Sequence, residues 1–180
     1  MQSLRQAQRV TPSPALLSEV YSYRAIGDRL ATASQPTEDQ FRAVRSAGFA
    51  AVINLALPTS DNALAHEGSI VTGFGMAYVH IPVAFDAPTP EDFRSFCRAM
   101  AAFKEKRVFV HCAANKRVSV FVFLYRVLVQ RAGMEDAQRD LFAIWQPDSV
   151  WRYFIRDQLE SGGREMEPSI HQQTRRGSKN

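Results

Sequence analysis

Apolar and polar residues follow one another along the middle of the chain in a pattern that predicts an α/β domain. Short apolar runs of strand length occupy residues 23–26, 50–55, 76–83 and 107–110. Continuous apolar runs are typical of strands that helices cover on both faces, as happens in parallel sheets. We therefore expect a three-layer α/β domain in which helices flank a central, mainly parallel sheet.

Between these runs, apolar residues recur at the spacing of a helix. Thr37 is a candidate N-cap for a helix that carries Phe41 and Val44 on one face and ends at Gly48. Thr89 precedes a proline and caps a second amphipathic helix in the same way. The pattern also predicts helices over residues 63–67, 118–130, 135–145 and 149–159. The helix over 118–130 is almost wholly apolar, which indicates that the domain encloses it.

The two ends of the chain lack this patterning. The first twenty residues mix Gln, Arg, Ser and Pro without periodicity, and the last twenty contain only two large aliphatic residues. We expect residues 1–20 to be a mobile segment, residues 21–160 to form one folded domain, and residues 161–180 to form a disordered basic tail.

Composition excludes several classes of protein but does not name a function. The chain has 180 residues, of which 46% are hydrophobic and 22% are charged, and these values are ordinary for a globular domain. Its 22 Lys and Arg against 18 Asp and Glu give a net charge of +4, which favours anionic partners. The aromatic residues lie in apolar helical patterns rather than beside a basic face, so we expect no nucleic-acid partner. The oligomeric state leaves no recognisable signal in this pattern.

The same composition bears on the location of the protein. Two cysteines are too few for the disulfide framework of a small secreted protein. The N-terminus lacks the apolar core of a signal peptide, and no apolar run reaches the roughly 18 residues that suggest a membrane span. We therefore expect a cytoplasmic protein that does not bind membranes.

The chemically distinctive segment is HCAANKRVS, residues 111–119, where Cys112 follows a buried strand and precedes the apolar helix. Backbone N–H groups of a tight loop and the positive end of a helix stabilise anions at such a place, including a thiolate. Asn115 tolerates the left-handed backbone conformation that tight loops often need. The candidate anion-binding residues are Ala113, Ala114, Asn115, Lys116, Arg117, Val118 and Ser119.

This segment resembles the phosphate-binding loop of cysteine-dependent protein tyrosine and dual-specificity phosphatases. The resemblance extends to Gln35-Pro36-Thr37, to residues 51–55 (AVINL) and to residues 78–83 (YVHIPV), in the order found in small bacterial phosphatase-like proteins. It implies a dual-specificity-phosphatase-like fold and a hydrolase that acts on a phosphorylated protein or small molecule without a metal or cofactor. It also implies that Cys112 attacks phosphorus, that an arginine clamps the phosphoryl oxygens, and that an aspartic acid protonates the leaving group.

The loop departs from the family pattern H-C-x-x-G-x-x-R-S/T. Aligned without a gap, it has Asn115 in place of the glycine and Val118 in place of the arginine, while Ser119 keeps the hydroxyl that would bind the thiolate. If the loop is one residue shorter, Arg117 is the clamp, and Val118 takes the place of the hydroxyl unless the helix start shifts to restore Ser119. The sequence accommodates both alignments. We favour Arg117 because Val118, at the start of an apolar helix, suits the core.

The family places its general acid in the loop after the strand that corresponds to residues 78–83. Asp86 fits that position, and we prefer it to Asp92, which already serves the first turn of a helix. By the same resemblance, His111 supports the thiolate and the hydrogen bonds of the loop. The four histidines are too scattered to form a recognised zinc motif with the cysteines, so we expect no bound metal.

Two other functions use the same residues differently. A catalytically weak or inactive phosphate-binding module is favoured by Val118 and Asn115, which stand where the family has arginine and glycine. A thiol sensor or sulfur carrier would also use a reactive cysteine at a helix N-terminus, with Cys97 as its partner. Cys97 falls on the apolar face of the helix that begins near Thr89, which speaks against that pairing.

Overall fold

The computed structural model describes residues 15–164. Its strands are β1 (Arg24–Ile26), β2 (Leu30–Ala33), β3 (Ala51–Asn54), β4 (Ala77–His80) and β5 (Val108–His111). Its helices are α1 (Ala15–Ser18), α2 (Glu38–Ser46), α3 (Glu67–Gly73), α4 (Pro90–Ala102), α5 (Lys116–Leu128), α6 (Met134–Phe142) and α7 (Ser149–Arg164). Most of the predicted N-terminal segment and of the predicted tail lies outside the described residues.

The five strands form one sheet in the order β1-β2-β5-β3-β4. Only β1 runs antiparallel, as the edge partner of β2, and the other neighbours are parallel. The registers align Ala33 and Asn54 with His111, so β2, β5 and β3 end side by side at one edge. The predicted mainly parallel sheet is confirmed, and its carboxyl edge is where open α/β sheets bind ligands.

Helices cover both faces of the sheet, and strand β5 shows how the two cores arise. Val108 and Val110 face an apolar cluster built mainly by α4, α5, α6 and α7, whereas Phe109 faces a second cluster built by α1, α2 and α3. Successive strand residues point to opposite faces, so a run without polar residues supplies both clusters. The predicted three-layer arrangement follows from this burial.

The two predicted N-caps are confirmed. The Thr37 hydroxyl accepts a hydrogen bond from the Gln40 amide, and the Gln40 side chain accepts one from the Thr37 amide. Thr89 and Asp92 form the same reciprocal pair at the start of α4. Each capping box satisfies two N–H groups that the first helical turn leaves without partners.

Other elements differ from the sequence prediction. Strand β2 was not predicted, and the short helix expected over residues 63–67 was wrong in position, since α3 begins at Glu67 after a left-handed His66. Leu17 and Val20 are buried against the α2 side of the sheet, so packed chain precedes residue 21. Among residues 15–164, no helix has both the length and the apolar character that crossing a membrane requires.

Candidate active site

The Cys112 loop spans the short gap between strand β5, which ends at His111, and helix α5, which begins at Lys116. Cys112 is 1% exposed and its amide donates to the Ala33 carbonyl at the end of β2, at 3.4 Å. Ala114 forms an isolated antiparallel bridge with Ser34, immediately after β2. The loop is therefore fastened to the neighbouring strand and holds the thiol at the N-terminus of a thirteen-residue helix.

Asn115 adopts the left-handed conformation expected from its place in the loop, with φ of 61°. Its side chain is fully buried, and Nδ2 donates to the Ser22 carbonyl at 2.8 Å and to the Thr32 hydroxyl at 3.0 Å. Asparagine therefore does two things where the family has glycine. It tolerates the positive φ, and it ties the loop to β2 and to the segment before β1.

Replacing Asn115 separates these two contributions. Asn115→Gly keeps the backbone conformation but removes both hydrogen bonds, so we expect the free energy of unfolding to fall by about 1–3 kcal/mol. Asn115→Ala also forces a methyl-bearing residue into the left-handed region, which costs about 1–2 kcal/mol more. Urea denaturation followed by circular dichroism measures both losses, and equal stability of the alanine and glycine variants would contradict the conformational part.

Arg117 is buried, with only 6% exposure. Its side chain reaches from α5 to the chain that follows β4. Arg117 Nη1 donates to the Val83 carbonyl at 2.8 Å. Val118 is fully buried in the cluster on the α5 side of the sheet, where an arginine at this position would leave a charge in apolar surroundings. This arrangement suits the shorter alignment, in which Arg117 belongs to the loop and Val118 to the core.

The chain after β4 carries Asp86 and is held at several points. Val83 donates to the Leu55 carbonyl at 3.3 Å, and the Phe85 carbonyl accepts from Trp151 Nε1 at 2.9 Å. The Phe85 ring packs against the rings of Trp145 and Trp151. Asp86 is the next residue and is exposed, so a carboxyl group projects from an anchored backbone.

The rival carboxylate, Asp92, has the structural role expected of it. Its side chain accepts a hydrogen bond from the Thr89 amide at 2.9 Å in the capping box of α4. Asp86 makes no such contact within residues 15–164. The two carboxyl groups therefore differ in their freedom to meet a substrate.

Lys116 and Ser119 face the segment between α6 and α7. The Lys116 ammonium lies 5.1 Å from the Trp145 ring centre and 6.0 Å from that of Phe85. The Ser119 hydroxyl donates to the Lys116 carbonyl at 2.8 Å and accepts from Trp145 Nε1 at 3.1 Å. Ser119 thus secures the first turn of α5 against Trp145, a contact that the sequence did not predict.

His111 takes part in a buried polar cluster centred on Glu67, whose importance sequence reasoning missed. Glu67 Oε1 accepts from His111 Nε2 at 2.9 Å and from Asn54 Nδ2 at 3.0 Å, while Oε2 accepts from Gln35 Nε2. Burial by itself raises the pKa of Glu67, but hydrogen bonds and the charge of His111 outweigh it and leave the pKa below its ordinary value. Glu67 is therefore held as a carboxylate beneath the Cys112 loop.

The second cysteine lies in different surroundings. Cys97 is half-buried on α4, and burial raises its pKa to about 11, so it stays protonated near neutral pH. Within residues 15–164, no group of three or more histidine, cysteine, aspartate and glutamate side chains is placed to hold a metal ion.

The sheet order and the strand–cysteine–helix loop together define a protein of the cysteine-dependent phosphatase superfamily. Residues 21–155 match the family described as "DSP-PTPase phosphatase fused to NAD+ Kinase". The chain belongs to this family, and the resemblance expected from the sequence is confirmed.

Individual relatives agree with this assignment. A crystal structure of a DUF442 protein from Shewanella putrefaciens CN-32, assigned as a phosphatase, is 32% identical with a TM-score of 0.74, and the match covers 83% of this chain and 98% of that one. A "Beta-lactamase hydrolase-like protein" of Xylella fastidiosa (strain Temecula1) is 29% identical over 120 residues, which make up 63% of this chain and 27% of the relative. The chain thus spans about a quarter of that curated relative.

A more distant structure shares the fold. PTPMT1 in complex with PI(5)P is 14% identical with a TM-score of 0.69, and the match covers 81% of this chain and 99% of that chain. At this identity the likeness shows the arrangement of the sheet and helices alone.

Proposed function

We propose that this chain is a metal-independent phosphomonoester hydrolase that works through a cysteinyl-phosphate intermediate on Cys112. The observation that carries the proposal is the Arg117–Val83 hydrogen bond of 2.8 Å, because it joins the cysteine loop to the segment that presents Asp86. Phosphoryl transfer needs a nucleophile, a cation and an acid that can contact the same substrate.

The first half of the reaction forms the phosphoenzyme. The Cys112 thiolate attacks phosphorus and forms the S–P bond as the bond from phosphorus to the leaving oxygen breaks. The loop N–H groups and the Arg117 guanidinium hold the three remaining phosphoryl oxygens, whose charge they stabilise. Asp86 donates its proton to the departing oxygen, which leaves as an alcohol or a phenol.

The second half releases phosphate. Asp86, now a carboxylate, takes a proton from water as that water attacks phosphorus, and the S–P bond breaks to restore the thiolate and give inorganic phosphate. Lys116 and Arg117 place two positive charges at the loop, which favours a dianionic phosphate monoester over a singly charged diester. PTPMT1, which shares this fold, was crystallised in complex with PI(5)P.

The direct test is hydrolysis of a small aryl phosphate by the intact chain with a metal chelator present. We expect steady release of phosphate, and mass spectrometry of acid-quenched reactions should locate a phosphoryl group on the peptide that carries Cys112 and not on the Cys97 peptide. Activity that appears only after a divalent metal is added would contradict the proposal. Phosphate binding without turnover would instead support the inactive binding module.

Replacing Asp86 tests the general acid. Asp86→Asn keeps the size of the side chain but cannot give up a proton, so we expect kcat for a poor leaving group to fall by about 10²–10⁴-fold. The loss should be much smaller for an activated aryl phosphate, whose leaving group needs little protonation.

Asp92→Asn is the matched control, because it makes the same chemical change at the rival aspartate and leaves an oxygen that can still cap α4. The assignment would be wrong if Asp92→Asn lost activity on the poor leaving group and Asp86→Asn retained it.

A further inference from the structure

The chain between β3 and α3, residues 55–66, contacts the Cys112 loop through the side chain of Asn62. Asn62 Nδ2 donates a hydrogen bond to the Ala113 carbonyl at 2.9 Å. Ala113 is the first residue after the nucleophile, and its carbonyl belongs to the same peptide group as the Ala114 amide. This β3–α3 segment therefore acts on the part of the loop that would face a phosphoryl group.

Both ends of the β3–α3 segment are anchored to the sheet. At its start, the Ala56 amide donates to Asn54 Oδ1 at 2.7 Å, and the Ala56 carbonyl accepts from His80 Nε2 at 2.8 Å. At its other end, the first residue of α3 is held by the buried polar cluster at the strand ends. The segment is thus fixed on both sides of Asn62.

Two consecutive β-turns carry the chain from one anchor toward Asn62. The Ser60 amide donates to the Leu57 carbonyl at 3.0 Å, and the Ala63 amide donates to the Ser60 carbonyl at 2.9 Å. Asn62 is the third residue of the second turn. Because the turns order its backbone, the hydrogen bond to the loop costs little further conformational entropy.

The planarity of the peptide bond converts this contact into a direction for an N–H group. In a trans peptide the C=O and N–H bonds point in opposite directions, and the described residues contain no cis peptide bond. With the Ala113 carbonyl turned toward Asn62, the Ala114 N–H points away from Asn62. Half a turn of this peptide group would present a carbonyl oxygen to a bound anion in place of the N–H.

We propose that Asn62 is a positioning residue that fixes the Ala113–Ala114 peptide group with its N–H directed at the phosphoryl oxygens. This inference rests on the proposed function and adds a residue from outside the loop to the anion site. The bridge to Ser34 fastens the loop on the β2 side, and Asn62 adds a second tie on the β3 side. A donor that is already oriented stabilises developing charge without first having to rotate.

The test exchanges two neighbouring side chains. The double variant Asp61→Asn/Asn62→Asp, called the exchange variant, keeps the composition and the net charge of the segment. A carboxylate at position 62 can only accept hydrogen bonds, so it faces the Ala113 carbonyl as a second acceptor. Asp61 is exposed, and Asp61→Asn alone is the matched control.

The first measurement is calorimetric binding of inorganic phosphate at neutral pH with a metal chelator present. We expect the Kd of the exchange variant to rise on the order of tenfold, because it loses one hydrogen bond and opposes two acceptors. Asn62→Ala should raise the Kd about threefold, since it loses the donor and adds no acceptor. Asp61→Asn should bind phosphate at least as tightly as the wild type. With an aryl phosphate, kcat/KM should follow the same order.

The second measurement reports the orientation of the peptide group without any turnover. In protein labelled with ¹⁵N-alanine, phosphate should move the Ala114 amide proton downfield, because a charged acceptor forms a strong hydrogen bond. The signal is identified by its absence from the spectrum of Ala114→Ser. We expect a markedly smaller shift in the exchange variant saturated with phosphate. Urea denaturation should give that variant the midpoint of the wild type, because position 62 is exposed.

The outcomes separate this inference from the proposed function. An exchange variant that binds phosphate as tightly as Asp61→Asn, or an Ala114 amide that shifts equally in both, would overturn the role of Asn62. A wild type that binds no phosphate would overturn it as well. A wild type that binds phosphate but hydrolyses no phosphate monoester would overturn the proposed function alone, and binding and amide shifts would still decide the role of Asn62.

Discussion

Replacing Cys112 by serine should lower the turnover of an aryl phosphate by on the order of 10⁴-fold or more. The serine hydroxyl occupies nearly the same space as the thiol but is not ionised at neutral pH, so the loop loses its nucleophile. Cys112 is buried, and serine is similar to cysteine in size, so the surrounding packing is nearly preserved. We therefore expect a small change in stability and continued binding of phosphate. Steady-state kinetics and equilibrium binding of phosphate, measured on the same preparation, check the loss of turnover and the continued binding.

Cys97→Ser is the matched control for that experiment. It makes the same chemical change at a half-buried position on α4, where burial raises the pKa of the thiol. Full activity is expected. If Cys112→Ser retained turnover while Cys97→Ser lost it, the nucleophile would be assigned to the wrong cysteine.

Replacing Arg117 by lysine should lower kcat/KM by about 10²–10³-fold, comparable to the loss of one preorganised donor at a developing charge. Lysine keeps a positive charge but lacks the planar pair of N–H groups that can bind two phosphoryl oxygens at once. Arg98→Lys provides the control, because Arg98 is exposed on α4 and pairs with Glu91. Kinetics of all three proteins on one substrate give the comparison.

The two possible alignments of the loop can be distinguished by moving the arginine. The double variant Arg117→Val and Val118→Arg places arginine where the ungapped family pattern has it. Because position 118 is fully buried among apolar side chains, we expect a less stable protein with no recovered activity. Recovery of turnover relative to Arg117→Val alone would show that position 118 faces the phosphate after all.

Much of the fold can be predicted from short segments of the sequence. Thr37 and Thr89 begin the helices that they were expected to cap, because a hydroxyl and a side chain three residues later satisfy local N–H groups. The apolar runs over residues 50–55 and 107–110 predicted parallel strands for an equally local reason. Strand β2 has only four residues, and its place between β1 and β5 depends on pairing with residues about 80 positions away.

The residues of the candidate site also differ in whether the sequence alone reveals them. Cys112, Arg117 and Asp86 stand out by residue type and by position relative to the predicted strands. Glu67 does not, since it looks like an ordinary polar residue at the end of the short helix expected over residues 63–67. Its burial arises only when the ends of β2, β3 and β5 meet. The signal available in the sequence was Gln35, Asn54 and His111, three polar residues at apolar strand ends that need a common acceptor.

The packing of Phe85 between two indole rings gives the chain an intrinsic optical reporter. Trp145 and Trp151 are the only two tryptophans among the 180 residues, and both contact the residue before Asp86. Emission excited at wavelengths that tyrosine does not absorb therefore originates beside the segment that carries Asp86. Movement of that segment relative to the helices is coupled to a signal that needs no label and no added tryptophan.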